Sequence, residues 1–198
     1  MLLLYAIPVG LVVGLLAGGA IHRLAAVRFR WAPLALGGLV FQLALFSPPV
    51  ASAFASGDLI GPALYVGSSV VVLVALAANL GQPGLRVVLA GAALNLLAIV
   101  ANGGLMPALP DAWAAFHGSV GVPSSALTNS VLAGPATALA FLGDVFYLAR
   151  PLPFANVFSI GDALIAVGGA WFIARTMLRT GSARARSPVN RRPVAANG

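Results

Sequence analysis

The sequence predicts an all-α protein, a polytopic bundle of transmembrane helices with about five spans and an irregular segment at its outer face. Composition is the first reason, because 60% of the 198 residues are apolar and only 8% are charged. A soluble globular domain is about 25% charged. The second reason is the mean hydropathy of +1.00, and the third is the length of the apolar runs, which is close to the ~20 residues that a helix needs to cross a bilayer.

Five apolar runs are bounded by residues that end or interrupt a helix. Arginines follow the first run, two prolines follow the second, and a Gly-Gln-Pro-Gly turn separates the third from the fourth. No basic residue precedes the first run, as it would in a cleavable signal peptide, so this helix is expected to be retained. Residues 1–179 are therefore predicted to form one transmembrane domain, with spans near 2–21, 31–47, 59–80, 86–101 and 160–178.

The segment 102–159 departs from this pattern and is expected to form a loop or an interfacial helix at the outer face. It opens with Asn102-Gly103-Gly104 and contains several prolines, which favour turns. Its apolar part, 131–148, is interrupted by Gly134-Pro135 and Gly143-Asp144. This part is compatible with an interfacial helix, a re-entrant segment or a sixth span. We favour a helix that lies on the membrane or dips into it.

The charged residues orient the predicted spans. All 11 basic residues are arginines, and with five spans only Arg150 falls on the side opposite the C-terminus. Short cytoplasmic loops carry an excess of basic residues, so the N-terminus is predicted outside and the C-terminus inside, across the cytoplasmic (inner) membrane of a bacterium. All four acidic residues then fall at or near the outer face: Asp58, Asp111, Asp144 and Asp162.

The last segment, 180–198, is rich in arginine, glycine, proline and small residues, without apolar periodicity. Such a composition cannot bury a core, so a disordered cytoplasmic tail is predicted. The lipid bilayer is the expected partner of the chain. Anionic lipid is a candidate partner of the tail, at about 1 kcal/mol per basic residue, and a purely topogenic tail is the alternative. Nucleic acid is not expected, because the arginines lie at the ends of apolar runs rather than along one face.

The cysteine and histidine content limits the available chemistry. The chain has no cysteine and only two histidines. Disulfides, thiolate chemistry and cysteine-based zinc or iron–sulfur sites are thereby excluded. We therefore predict neither a metal site nor a bound cofactor.

Two sets of residues are predicted to hold the helices together. Gly10, Gly14 and Gly18 repeat every four residues on the first helix, and such small residues let another helix approach closely. Packing inside one chain is favoured over a dimer interface. Gln42 and Asn95 lie near the middle of apolar runs. An unpaired amide in hydrocarbon costs several kcal/mol, so both are expected to form interhelical hydrogen bonds.

Asp162, at the outer end of the last span, has two interpretations. A carboxylate within a membrane segment is expensive and suggests a function. Alternatively, Ser159 and Asp162 have the spacing of a helix N-terminal capping box, in which the acid also faces the positive end of the helix dipole. The spacing alone favours neither interpretation.

Asp144 precedes Asp162 by eighteen residues, and both are expected at the outer boundary. Two neighbouring carboxyl groups cannot both ionise easily, so they share a proton, and one acts as a base while the other acts as an acid. Such a pair activates water for peptide hydrolysis without a metal. The alternative is a loop aspartate at position 144, paired with Arg150.

One local stretch resembles an enzyme family. Residues 158–168 (FSIGDALIAVG) are similar to the last motif of lipoprotein signal peptidases (signal peptidase II), F-N-x-A-D-S-x-I-x-x-G, with Ser159 in place of its asparagine. Residues 142–146 (LGDVF) are placed like that family's V-D-F-type motif, and 102–104 (NGG) resemble its N-x-G motif. The resemblance implies that Asp144 and Asp162 are the catalytic dyad and that Asn102 positions the substrate.

The whole chain, through its pattern NGGLMP, FLGD and NVFSIGD, resembles an uncharacterised family of bacterial multi-pass membrane proteins. That resemblance implies a fold but no activity. Two classes of function stay open. The first is a non-enzymatic or accessory component of the membrane, in which both aspartates cap helices or pair with arginine. The second is an aspartyl intramembrane peptidase that uses Asp144 and Asp162.

Overall fold

A computed structural model describes residues 2–47, 50, 59–117 and 129–179. Asp58 and the predicted tail, 180–198, lie outside these residues. The two 3-10 helices of the described part are Ile21–Ala26 and Ala140–Leu142. Its α-helices are α1 (Leu3–Leu16), α2 (Ala32–Leu45), α3 (Ile60–Ala77), α4 (Leu85–Ala101), α5 (Pro110–His117) and α6 (Ile160–Leu178).

The five long helices form a row in the order α1-α6-α4-α3-α2. Helix α6 packs against α1 on one side and α4 on the other, α4 packs against α3, and α3 packs against α2. Gln42 of α2 donates hydrogen bonds to the hydroxyls of Ser68 (3.2 Å) and Ser69 (3.1 Å) of α3. The interhelical role predicted for Gln42 is therefore confirmed.

At one end of these helices, which we call the arginine end, lie the arginines of the described residues other than Arg150. The Arg23 guanidinium donates to the Met177 carbonyl (2.7 Å), and the Arg30 backbone amide donates to the Asn79 side chain (2.7 Å). The Arg179 guanidinium donates to the Gln82 side chain (2.8 Å). Through these contacts, the first 3-10 helix, the residues before α2, the turn between α3 and α4 and the end of α6 lie together at the arginine end.

The opposite end, which we call the sheet end, contains a four-stranded sheet rather than the interfacial helix that was expected. The strands are β1 (Met106–Ala108), β2 (Ser130–Leu132), β3 (Asp144–Tyr147) and β4 (Val157–Ser159). Their order is β2-β1-β3-β4, with β1 parallel to β2 and β3, and β4 antiparallel to β3.

The prediction of an all-α fold is therefore wrong in this segment, and the described chain is mostly helical with a small sheet. Residues 131–148 divide among β2, the second 3-10 helix and β3. The physical reason is that glycines and prolines divide this segment into stretches of only three to seven residues. Such stretches are too short for a helix but long enough for a strand that finds distant partners.

The helices are shorter than several of the predicted spans. Helices α3 and α6 are long and apolar enough to cross a membrane, whereas α1, α2 and α4 are shorter apolar helices. Helix α1 ends at Leu16 because Gly18 adopts a left-handed conformation (φ +79°). Gly19 then donates to the Gly14 carbonyl (2.8 Å) and Gly18 to the Leu15 carbonyl (2.9 Å), as in a Schellman motif.

The three glycines predicted to pack α1 have two different roles. A Cβ atom at Gly10 would lie 2.8 Å from the Ala170 carbonyl oxygen, and one at Gly14 would lie 3.3 Å from the Cα of Ala174. Both glycines therefore face α6 within the same chain. A Cβ atom at Gly18 would meet no atom within 4 Å, so Gly18 ends α1 rather than packing it.

A second glycine contact, which was not predicted from the sequence, joins α4 to α6. Gly84 and Gly91 lie seven residues apart at the start and in the middle of α4, and Gly161 and Gly168 have the same spacing on α6. A Cβ atom at Gly168 would lie 2.8 Å from both the Gly84 carbonyl oxygen and the Val88 amide nitrogen. The matched seven-residue spacing is the signal that would have revealed this contact.

Substitution of Gly168 tests the close approach of α4 and α6. We expect Gly168→Ala to lower the free energy of unfolding by about 1–3 kcal/mol, since the added methyl group meets backbone that cannot move aside. The matched control is Gly37→Ala in α2, where a Cβ atom meets nothing within 4 Å. This control should stabilise by about 0.5–1 kcal/mol. Equal effects in denaturant unfolding of the two variants would contradict the packing.

Candidate functional site

The junction between β4 and α6 forms a capping box. The Ser159 hydroxyl accepts a hydrogen bond from the Asp162 amide (2.9 Å), and the Asp162 carboxylate accepts one from the Ser159 amide (3.2 Å). Ser159 is fully buried. The capping interpretation of Asp162 is therefore confirmed, and the carboxylate lies at the positive end of the α6 dipole.

Asn95 of α4 completes this arrangement. Its amide nitrogen donates to the second oxygen of Asp162 (2.8 Å), and its amide oxygen accepts from the Ser159 hydroxyl (2.7 Å). The prediction that Asn95 forms an interhelical hydrogen bond is confirmed. Both carboxylate oxygens of Asp162 accept hydrogen bonds, so this side chain connects β4, α6 and α4. We call Asn95, Ser159 and Asp162 the capping triad.

Asp144 lies directly across the sheet from the capping triad. It is the first residue of β3 and pairs with Ser159 of β4, which brings their Cα atoms within about 5 Å. Only 9% of Asp144 is exposed. None of the described residues donates a hydrogen bond to its carboxyl group.

Both aspartates line one cavity of about 280 Å³ between the sheet and the helices, which we call the polar cavity. The fold therefore brings to one cavity two carboxyl groups that lie eighteen residues apart in the sequence. The other lining side chains come from α3, α4, α5, β1, β2, β4 and the loops beside the strands. The full lining is Tyr65, Asn95, Ile99, Met106, Trp113, Asn129, Ser130, Asp144, Asn156, Val157 and Asp162.

The surroundings of Asp144 change its acidity. Burial, followed by the nearby charge of Asp162, raises the pKa of the Asp144 carboxyl to about 7. Burial disfavours the charged form because water no longer solvates it, and a like charge disfavours it further. Asp144 therefore titrates near neutral pH, inside a polar cavity.

Asn102 lies apart from the polar cavity. Its side-chain amide donates to the carbonyls of Ala98 and Ala138 (both 2.8 Å), and its oxygen accepts from the Ala138 amide (3.1 Å). Gly103 and Gly104 follow in left-handed conformations (φ +67° and +90°). The NGG motif therefore ends α4 and fastens the loop before the second 3-10 helix, and the substrate-positioning role implied for Asn102 stays a prediction.

Several cavity residues were not singled out from the sequence. Asn129 and Asn156 lie in short connections beside the strands, and Ser130 is the first residue of β2. Tyr65 and Trp113 come from α3 and α5. Each is unremarkable in its own stretch of sequence. Only the pairing of β1 with two distant strands brings these side chains to one place. No group of three or more metal-ligating side chains occurs within the described ranges.

The fold and the site define a mostly helical protein in which a small sheet covers a cavity that holds two carboxyl groups. The family of unknown function DUF5317 matches residues 26–174. Because this match covers more than half of the sequence, the chain belongs to that family. No curated protein and no solved structure matches the chain.

The family match confirms the expectation of a family without an assigned function, while the local resemblance to lipoprotein signal peptidases stays a prediction. All residues that line the polar cavity fall within 26–174. The first helix, α1, precedes the matched region. The polar cavity is therefore built entirely from residues of the matched region.

The raised pKa of Asp144 predicts a pH dependence of stability. An unfolded aspartate has a pKa near 3.9, whereas the folded carboxyl keeps its proton until about 7. Between these values the folded state binds more protons than the unfolded state, so stability falls as pH rises and levels off above the folded pKa. The Tm of the wild type, relative to that of Asp144→Asn, should therefore fall from about pH 4 to about pH 8.

The control for this pH series is Asp111→Asn, because Asp111 is exposed on α5. Its Tm should follow that of the wild type at each pH. A constant difference in Tm between the wild type and Asp144→Asn across the series would contradict the altered acidity of Asp144.

Proposed function

We propose that this chain is a multi-pass integral membrane protein with a non-enzymatic, binding or accessory role, and that the polar cavity is its functional site. Its five apolar helices would lie in the bilayer, with the sheet end outside and the arginine end in the cytoplasm. The observation that carries the proposal is a belt of large apolar side chains exposed on the helices.

This belt is extensive on α2 and α6. Leu36, Val40 and Leu43 are each more than 60% exposed on α2, as is Val167 on α6, and Trp171 is half exposed. A soluble monomer rarely exposes apolar patches larger than a few hundred Å². In a bilayer the same side chains contact lipid at no cost, which supports membrane insertion.

Helix length is compatible with this insertion. Helices α3 and α6 contain 18 and 19 residues, or about 27–28 Å at 1.5 Å per residue, close to the ~30 Å hydrocarbon core. Helices α1 and α2 contain 14 residues each, or about 21 Å. Local thinning of the bilayer and flanking arginines that extend toward the headgroups accommodate such short spans.

The distribution of charge supports the proposed orientation. The described arginines at or near the arginine end are Arg23, Arg28, Arg30, Arg86, Arg175 and Arg179. Arg150 belongs to the sheet end, where its guanidinium lies over the Phe116 ring, 5.2 Å from the ring centroid. The positive-inside rule assigns the arginine-rich side to the cytoplasm. The arginine-rich segment 180–198 would extend from that side toward anionic lipid.

Because the chain has no native cysteine, single introduced cysteines can test this topology. Ala136→Cys is exposed at the sheet end, and Gly81→Cys is exposed at the arginine end. We expect a membrane-impermeant maleimide to label Ala136→Cys in intact cells and Gly81→Cys only after permeabilisation. The cysteine-free wild type measures the background. The reverse pattern would contradict the orientation, and labelling of neither variant in intact cells would contradict membrane spanning.

A binding role is favoured over catalysis by the capping triad. Both oxygens of Asp162 already accept hydrogen bonds, from the Asn95 amide (2.8 Å) and the Ser159 backbone (3.2 Å). A carboxylate that must alternate between acid and base needs freedom to exchange these partners with water. Asp162 therefore supports the fold and supplies negative charge, while Asp144 is the group that meets a ligand.

An aspartyl intramembrane peptidase is the second candidate, and one observation favours it. Asp144 and Asp162 line the same cavity, and the pKa of Asp144 lies near 7, as expected for a carboxyl group that shares a proton with its neighbour. Sequencing the N-termini of membrane peptides from cells that carry the wild type, Asp144→Asn or Asp162→Asn distinguishes the two functions. We expect the same N-termini in all three kinds of cell. N-termini that occur with the wild type and are lost with both variants would establish the peptidase.

A further inference from the structure

An apolar groove of about 360 Å³ lies beside the polar cavity. Its floor is formed by α3 and α4, and its walls are formed by α2 and α6. Leu39 on the α2 wall is 47% exposed, so the groove is open on that side. The lining is Leu39, Gln42, Tyr65, Ser69, Val72, Leu73, Leu76, Leu85, Val88, Ala92, Asn95, Leu96, Ile99, Ile165, Gly169 and Phe172.

The polar cavity and the apolar groove adjoin each other. Tyr65, Asn95 and Ile99 line both, so a molecule can extend from one into the other. From Tyr65 to Leu76 on α3, the groove runs about 16 Å at 1.5 Å per residue. This length is about half of the ~30 Å hydrocarbon core, which is the depth that one lipid chain occupies.

The polar end of this combined site favours a cation. Asp144 and Asp162 both line it, and its described lining contains no arginine. The Asp144 side chain is nine-tenths buried and accepts no hydrogen bond from a described residue. The aromatic rings of Tyr65 and Trp113 also line the cavity. Carboxylates together with aromatic rings are the surroundings in which proteins bind ammonium groups.

We propose that the polar cavity and the apolar groove together bind a single-chain amphiphile with a protonated amine as its head group. The ammonium group lies between Asp144 and Asp162, and the hydrocarbon chain lies along the groove toward Leu76 and Phe172. This inference rests on the proposed binding role in the membrane and adds the chemical class of the ligand. An anionic head group is disfavoured, because it would meet two carboxyl groups without a compensating arginine.

Binding of such a ligand should depend on the ionisation of Asp144. The ammonium pairs with the ionised carboxylate, so binding releases the proton that Asp144 holds below about pH 7. An alkyl amine itself stays protonated up to about pH 10. Its affinity should therefore rise as pH is increased through neutrality, while the affinity of an uncharged probe should not change.

The test uses three probes that share a twelve-carbon hydrocarbon chain and differ in their head groups, namely dodecylamine, dodecanol and dodecanoate. Each is titrated calorimetrically into the purified full-length chain in non-ionic micelles, and the heat of titration into empty micelles is subtracted. We expect dodecylamine to bind at least about tenfold more tightly than dodecanol, which corresponds to about 1.4 kcal/mol, and dodecanoate to bind most weakly. Asp144→Asn should reduce the tenfold preference to about threefold or less, whereas Asp111→Asn should retain it.

A second pair of variants tests the groove. Ala92 lines the groove on α4, and its neighbour Ala93 is exposed outside the lining. Ala92→Phe should weaken the binding of all three probes about tenfold by filling the groove, and Ala93→Phe should leave binding unchanged. Equal affinity for the three heads, tightest binding of dodecanoate, or an Asp144→Asn variant with full amine preference would overturn the inference. The cysteine-labelling pattern is measured separately, so failure of this inference is distinguishable from failure of the membrane proposal.

Discussion

The capping triad of Asn95, Ser159 and Asp162 is the interaction on which the rest of the structure depends. Two hydrogen bonds between Ser159 and Asp162 join the end of β4 to the start of α6, and two more connect this junction to Asn95 of α4. Helix α6 in turn contacts both α1 and α4. The Asp162 carboxyl group faces the positive end of α6 and accepts two hydrogen bonds there. The same side chain lines the polar cavity, so one residue belongs both to the helix packing and to the proposed site.

The sheet end and the helices each supply half of the proposed site. Asp144 reaches the cavity because β3 pairs with β4 at Ser159, and the adjoining groove exists because α2 and α6 rise beside α3 and α4. A buried carboxyl group with a pKa near 7 costs folding free energy when it has no polar partner. In the proposed complex, the cationic head group is that partner.

Local sequence patterns predicted the parts of the fold that depend on local chemistry. The spacing of Ser159 and Asp162 predicted the capping box, and the apolar setting of Gln42 and Asn95 predicted their interhelical hydrogen bonds. The sheet was missed because its strands are three or four residues long and acquire partners only through pairing with residues 10 to 36 positions away in the chain. Of the residues that line the polar cavity, the two aspartates were predicted as a pair from the sequence. Its asparagines and aromatic residues come from five separate segments that no local pattern connects.

The most direct test of this account is a double-mutant cycle between Asn95 and Asp162, measured as free energies of unfolding in detergent micelles. Asn95→Ala and Asp162→Ala remove the two partners of a hydrogen bond to a charged group, so the cycle should give a coupling of about 1.5–3 kcal/mol. Asn79→Ala, at the arginine end, serves as the control and should be additive with Asp162→Ala. A coupling between Asn95 and Asp162 within about 0.3 kcal/mol of zero would contradict the central place of the capping triad.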